Sequence, residues 1–164
     1  MNYFEFNCSR CGSCCRTLLT DEFGITSGLS LTEEEICLFD SELIKPNMGL
    51  GNGKSINIIT YQLNQSVCPH IDEKNNCKIY EKRPLVCQSF PVEVTVRGGI
   101  VRPECPQSFS IPKDGSALTD AGMAINQNLM KKFKQLGNKL DILWFFDLSA
   151  NRWTIIPDTF SDIM

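Results

Sequence analysis

The sequence predicts a small α+β domain rich in cysteine. Three observations carry that prediction: a helix-start signal and a long amphipathic run, an alternating apolar hairpin, and nine cysteines beside a single histidine. A chain of 164 residues has room for one ordinary domain, or one domain with an appendage, and for a core that holds itself together. With 42% hydrophobic and 21% charged residues it lies in the globular range, which excludes wholesale disorder and a fibrous repeat. The 16 Lys and Arg against 19 Asp and Glu leave a net charge of -3. The basic excess of a phosphate-tracking surface is missing, and nucleic acid is not an expected partner.

The elements follow in chain order. Leu31-Thr32-Glu33-Glu34-Glu35-Ile36 carries a capping box, with Thr32 as cap and Glu35 returning to it, and predicts a helix over 33–43. Cys37 falls on that helix, away from the other cysteines, and is expected to be a small buried hydrophobe. Asn47 to Ser55 is glycine-rich and ends in Gly53-Lys54-Ser55, but Met48 stands where a phosphate-binding loop needs its first glycine, so a flexible glycine loop is expected instead. Ile56 to Leu63 has the β-branched alternation of a strand. Asn75-Asn76 suits a turn that folds Cys77 back toward Cys68. Val92, Val94 and Val96 share one face of a strand, Gly98-Gly99 offers a tight turn, and Ile100-Val101 returns, which would bring Cys105 back beside Cys87.

Past Cys105 the chain loses its cysteines and opens with Pro106, Pro112, Asp114 and Gly115, a linker composition. Leu118, Ala121, Ile125, Leu129, Phe133 and Leu136 then recur at helical spacing up to Gly137, predicting an amphipathic helix over 117–136. Lys131, Lys132 and Lys134 form a solvated face whose charge complements the helix dipole. Leu140 to Phe146 and Trp153 to Ile156 are expected to pack this helix back onto the body. The expected organisation is a cysteine-cluster domain over 1–110 with a helical extension over 111–164.

Cysteine at this level means disulfides, metal coordination or redox chemistry, and the compartment separates the first from the rest. Met1 to Asn7 has no basic segment followed by a long apolar stretch, so a cytoplasmic protein is expected. The longest strongly apolar run, Ile142 to Phe146, is far below the roughly 20 residues that span a bilayer, so no membrane association is expected. Thiols in a reducing cytosol stay reduced unless a metal holds them, and nine is an odd number to pair. The spacing points to metal. Cys8, Cys11, Cys14 and Cys15 form C-x-x-C-x-x-C-C, whose two-residue gaps let successive sulfurs converge on one centre. Neighbouring side chains tend to diverge, so Cys14 and Cys15 can feed two centres. Cys68, Cys77, Cys87 and Cys105 would complete two sets of four: Cys8, Cys11 and Cys14 with one distal thiol, and Cys15 with the other three. A tetrathiolate centre keeps a local negative charge that backbone N–H groups or nearby cations must offset, and Arg10, Arg16 and Arg83 lie close in sequence.

These residues carry a resemblance. Cys8-Ser9-Arg10-Cys11-Gly12-Ser13-Cys14-Cys15, then Cys68-Pro69-His70-Ile71, then the run from Cys77 through Tyr80, Arg83-Pro84 and Cys87 to Phe90-Pro91, and finally Cys105 in Pro103-Glu104-Cys105, resemble the YkgJ-like cysteine-cluster (CxxCxxCC) family of zinc- or iron-chelating domains. The resemblance covers about residues 4 to 106 and implies metal or iron–sulfur binding. Some larger relatives, such as flagellin lysine methylases, carry a similar segment. One departure is Gln88, where the family usually has arginine.

Catalytic constellations are not recognisable. His70 is the only imidazole, no nucleophile motif surrounds it, and a structural role is expected. Glu81 and Arg83 suit a turn-stabilising pair. The expected function is therefore metal binding, with two forms kept open. In one, [4Fe–4S] clusters pass electrons to a redox enzyme or complex, a reading favoured by the ferredoxin-like C-x-x-C-x-x-C spacing and a distal cysteine followed by proline, Cys105-Pro106. In the other, closed zinc sites substitute for core and the surface binds a protein partner. Storage or delivery of iron or zinc is a weaker third.

Overall fold

The computed structural model describes residues 7–95, 98–112 and 119–156. In chain order the regular elements are strands β1 (Thr20–Glu22), β2 (Ile25–Ser27), β3 (Leu29–Leu31), β4 (Ile44–Gly51) and β5 (Ile56–Leu63), helix α1 (Leu85–Ser89), strands β6 (Val92–Thr95) and β7 (Gly98–Val101), helix α2 (Asp120–Leu136), and strands β8 (Ile142–Asp147) and β9 (Arg152–Thr154). The fold is α+β, with antiparallel pairing throughout. Among the described residues no helix is long and apolar enough to cross a membrane.

The chain divides into two compact units whose boundaries fall after residues 18, 66 and 127, whereas the sequence reading placed one between 110 and 111. Unit 1 combines 1–18 with 67–127, and unit 2 combines 19–66 with 128–164.

Unit 2 is built on a five-stranded sheet in the order β3-β5-β4-β8-β9. The β5 strand spans the predicted residues, and its Ile59 and Leu63 are buried. The glycine-rich stretch expected to be a flexible loop instead forms most of β4 and pairs on both sides, with β5 and with β8. A side chain at position 49 would place its Cβ 2.4 Å from Ile56 Cγ2 and 3.0 Å from Trp153, so glycine here is what lets neighbouring side chains lie over the strand. Leu140 to Phe146 and Trp153 to Ile156, expected to pack the helix onto the body, carry most of β8 and β9, where Phe146 meets Trp153 edge-on at 5.4 Å. Asp147 ends β8, and its carboxylate accepts hydrogen bonds from the Ser149 hydroxyl at 2.8 Å and the Thr26 N–H at 3.2 Å. These hold it below the usual carboxylate range.

Pro46 cannot donate to a ladder, and the β4–β5 register shifts beside it. Gln62, with no exposed surface, repairs the gap. Its Nε2 donates to Pro46 O at 2.6 Å and Phe146 O at 2.9 Å, and its Oε1 accepts from the Gly28 N–H at 2.8 Å.

The helix predicted over 33–43 is absent. Its start signal is real, since the Thr32 N–H donates to the Glu35 carboxylate at 2.8 Å. Only single 3-10 turns follow, at Ile36–Leu38 and Ser41–Leu43, because Phe39 turns extended (φ -132, ψ 160) and is buried, and Asp40 is extended too. Tertiary burial overrides local preference. Cys37 consequently lies exposed, not buried, with its thiol donating to Glu34 O at 3.2 Å.

In unit 1 the hairpin forms with β6 against β7, Val92 facing Val101 and Thr95 facing Gly98. Gly98 and Gly99 therefore belong to the returning strand and not to the turn; Val96 lies outside the described residues. Val92 and Ile111 are buried together with Val101 against them. Helix α2 starts at Asp120, with 117 and 118 outside the described residues, and the Thr119 hydroxyl accepts the Gly122 N–H at 3.0 Å as its cap. The same hydroxyl donates to Ser89 Oγ, which donates to Val92 O at 2.7 Å, so the cap, α1 and β6 share one buried chain of hydrogen bonds. Residues 128–136 of α2 belong to unit 2, and there Lys132, expected as a solvated charge, pairs with Glu33.

Replacing Gln62 by Leu leaves one buried donor and two carbonyls without their partner, and is expected to destabilise the protein by about 3 kcal/mol. Urea denaturation measures it, and a change below about 0.5 kcal/mol would show that the amide bonds are immaterial.

Candidate metal centre

All eight cysteines predicted as ligands fall in unit 1: Cys8, Cys11, Cys14, Cys15, Cys68, Cys77, Cys87 and Cys105. Cys37 alone falls in unit 2. All nine are free thiols. Unit 1 thus holds the cysteines that spacing marked as candidate ligands, and Cys37, which the spacing had already set apart, lies in unit 2.

Two segments far apart in sequence interlock to hold the sulfurs. The first is the N-terminal run, which takes left-handed backbone at Arg10 (φ 57) and Gly12 (φ 77) and then a 3-10 turn over Cys14–Arg16. The second is the turn after Cys68. Asp72 organises it, since Oδ1 accepts the N–H groups of Lys74 and Asn76, each at 2.8 Å. These bonds hold the carboxyl below the usual carboxylate range. The turn sets Cys77 opposite Ile71 in an isolated antiparallel bridge, so the predicted return of Cys77 toward Cys68 is present. The His70 carbonyl accepts the Lys78 N–H at 2.8 Å on the same return.

Three contacts join run to turn. The Cys68 N–H donates to Cys15 O at 2.7 Å. Arg16 donates from Nη2 to Asn75 Oδ1 at 2.9 Å and to Asp72 O at 3.2 Å. Gly12 is buried beneath Asn75, where a Cβ would stand 2.5 Å from Asn75 Oδ1. Arg16 therefore works as a structural strut. Sequence reasoning treated Gly12 as a spacer and did not single out Asp72; the pattern of Asp72 followed by Asn75-Asn76 is the signal that marks such a turn.

Electrostatics groups the sulfurs further. Cys14 and Cys15 Sγ lie 3.9 Å apart. The contact with Cys15 Sγ holds Cys14 below the ordinary thiol range despite burial and the repulsion of Cys87, Cys8 and Cys11. The same contact, together with burial, pushes Cys15 far above the ordinary range. The vicinal pair is thus coupled, and its two thiols ionise unequally. The Ser13 hydroxyl and N–H hold Cys11 below the ordinary thiol range. Burial pushes Cys68 up, partly offset by the His70 N–H, and its sulfur neighbours are Cys15 and Cys77. Cys14 therefore lies within electrostatic reach of Cys8, Cys11 and Cys87, and Cys68 within reach of Cys15 and Cys77. Cys105 is buried in the turn after the hairpin. Among the described residues no three Cys, His, Asp or Glu side chains stand at the spacing of a single-ion cage. The donor set nonetheless fits a thiophilic metal: eight free thiols in one unit, two of them neighbours at 3.9 Å, with N–H groups aimed at sulfur from Arg10 at 3.3 Å and from His70.

Gly12→Ala forces a Cβ into Asn75 and into a backbone conformation that suits glycine. We expect it to cost about 2 kcal/mol or more of stability and to lower metal content, read by denaturation and elemental analysis against wild type. Unchanged values in both would show that the interlock is dispensable.

No curated protein and no solved structure matches the chain. A family model does: CxxCxxCC, described as "Putative zinc- or iron-chelating domain", matches residues 7–106. That span runs from the residue before Cys8 to the residue after Cys105, takes in all eight clustered cysteines, and covers well over half of the chain. With its quartet, its 68–77 turn and its Arg83-Pro84 segment all inside the match, the chain belongs to the CxxCxxCC family, and metal chelation by cysteine is the property that this membership supports.

Proposed function

We propose that unit 1 holds one or two thiolate-ligated iron–sulfur clusters and serves as an electron carrier to a protein partner in the cytoplasm. The observation that carries the reading is the set of sulfurs acting on Cys14: beside its neighbour Cys15 at 3.9 Å, it feels Cys8 and Cys11 of the C-x-x-C-x-x-C run and one distal sulfur, Cys87. Three closely spaced ligands and a fourth from far along the chain form the ligand pattern of a four-iron cluster. Cys15 and Cys77 neighbour Cys68, and in this reading Cys105-Pro106, the sequence-based choice for that fourth position, is left as the remaining ligand of the second set. A bound cluster supplies one-electron redox chemistry. The chain's own part is to present thiols, to aim the Arg10 and His70 N–H groups at Cys8 and Cys68, and to release the thiol protons as Cys14 and Cys15 become ligands.

A second reading, a structural zinc module that binds a partner, is favoured by one distance. Sulfurs on a tetrahedral zinc at about 2.3 Å stand about 3.8 Å from one another, and the Cys14 and Cys15 sulfurs are 3.9 Å apart.

Anaerobic purification followed by iron, sulfide and zinc analysis separates the two. We expect brown protein with about four iron and four acid-labile sulfide per occupied centre. Colourless protein with zinc near two per chain would replace the carrier by the scaffold, and metal-free protein would end both. Cys68→Ser is expected to lower metal content, whereas Cys37→Ser leaves it unchanged; equal losses from the two variants would contradict the assignment to unit 1.

A further inference from the structure

Tyr80 lies half-buried between two of the cysteines, Cys77 and Cys87, and two cations converge on it. The Arg10 guanidinium carbon is 4.6 Å from its ring centroid and that of Arg83 is 3.9 Å away. Arg83 also closes its own turn, with Nη1 donating to Tyr80 O at 2.7 Å. Two guanidiniums over one ring repel each other, and among the described residues neither is paired with a carboxylate. The ring's quadrupole attracts each of them, but a shared ring does not remove their mutual repulsion. What the two arginines share is proximity to cysteine along the chain, since Arg10 lies between Cys8 and Cys11 and Arg83 lies between Cys77 and Cys87. Arg10 is followed directly by Cys11, its own N–H points at Cys8 Sγ at 3.3 Å, and it holds a left-handed backbone (φ 57) that residues with a side chain seldom adopt.

We infer that Tyr80 is a positioning residue of the thiolate cluster: its ring gathers Arg10 and Arg83, fastening the Cys8–Cys11 loop to the Cys77–Cys87 segment and setting two positive charges beside the anionic sulfurs. The inference rests on the reading that unit 1 binds metal through these cysteines. Four thiolates around a divalent ion, or around a cluster core of equal charge, retain net negative charge, and cations held close lower the cost of burying it. An aromatic ring suits this task because it draws the guanidiniums in without neutralising them, as a carboxylate would.

The test follows the metal that the purified chain carries, released to excess EDTA and quantified on desalted protein over time. Tyr80→Leu is expected to speed loss about tenfold, within the range typical when partners of metal ligands are removed. Tyr80→Phe keeps the ring and is expected to stay within about twofold of wild type. Arg10→Gln, at an exposed position, is expected to speed loss about two- to fivefold with an unchanged circular dichroism spectrum, and it carries the test if Tyr80→Leu does not fold. Wild-type release rates in Arg10→Gln and Tyr80→Leu, or Tyr80→Phe as fast as Tyr80→Leu, would overturn the clamp while leaving metal binding intact. A wild-type chain that holds no metal overturns the metal reading and the clamp with it.

Discussion

The register between the N-terminal run and the turn at 68–77 governs what unit 1 can do. Residues as far apart as Arg16 and Asn75, 59 positions along the chain, must meet before any sulfur from the first segment can share a centre with one from the second. The entropy of closing that connection is met by a few specific bonds: Cys68 N–H to Cys15 O, Arg16 to Asn75 and Asp72, and the burial of Gly12 under Asn75. These bonds use backbone groups and neutral or cationic side chains. The thiols are left free for coordination.

Charge and protons set the second constraint. Bringing several thiols together raises the cost of ionising each one, and the chain answers differently at each site: contacts with Ser13 for Cys11, the adjacent Cys15 sulfur for Cys14, and burial with only a partial amide offset for Cys68. The sulfurs are therefore unequal before a metal arrives. Cys14 gives up its proton to a metal more readily than an ordinary thiol, and Cys15 less readily.

Much of this was legible in the sequence where the signal is chemical or local. The cysteine spacing marked the eight residues that share unit 1, the β-branched run 56–63 marked β5, and the helical apolar spacing marked α2. Signals failed where tertiary context decides. The capping box at Thr32 formed its bond, yet burial of Phe39 on extended backbone stopped the helix after one turn and left Cys37 exposed. β4 was hidden by Pro46, Gly49 and Gly51, whose composition signals a loop but which are needed so that Gln62, Ile56 and Trp153 can fill the space. β8 was hidden because five consecutive apolar residues carry no period. In the cluster, the interlock of Gly12, Asp72, Asn75 and Arg16 could not be read from spacing, because it depends on which turn meets which loop.

The alternation of the two units along the chain bears on the order in which a nascent polypeptide can assemble. The quartet Cys8, Cys11, Cys14 and Cys15 leaves the ribosome first, but its partners at Cys68, Cys77, Cys87 and Cys105 follow only after the whole of residues 19–66. That intervening stretch cannot finish its own sheet until β8 and β9, at 142–154, have been made. The first four cysteines therefore wait for their distal partners while 19–66 are made, and a cell that makes this chain has to keep four closely spaced sulfurs reduced over that interval.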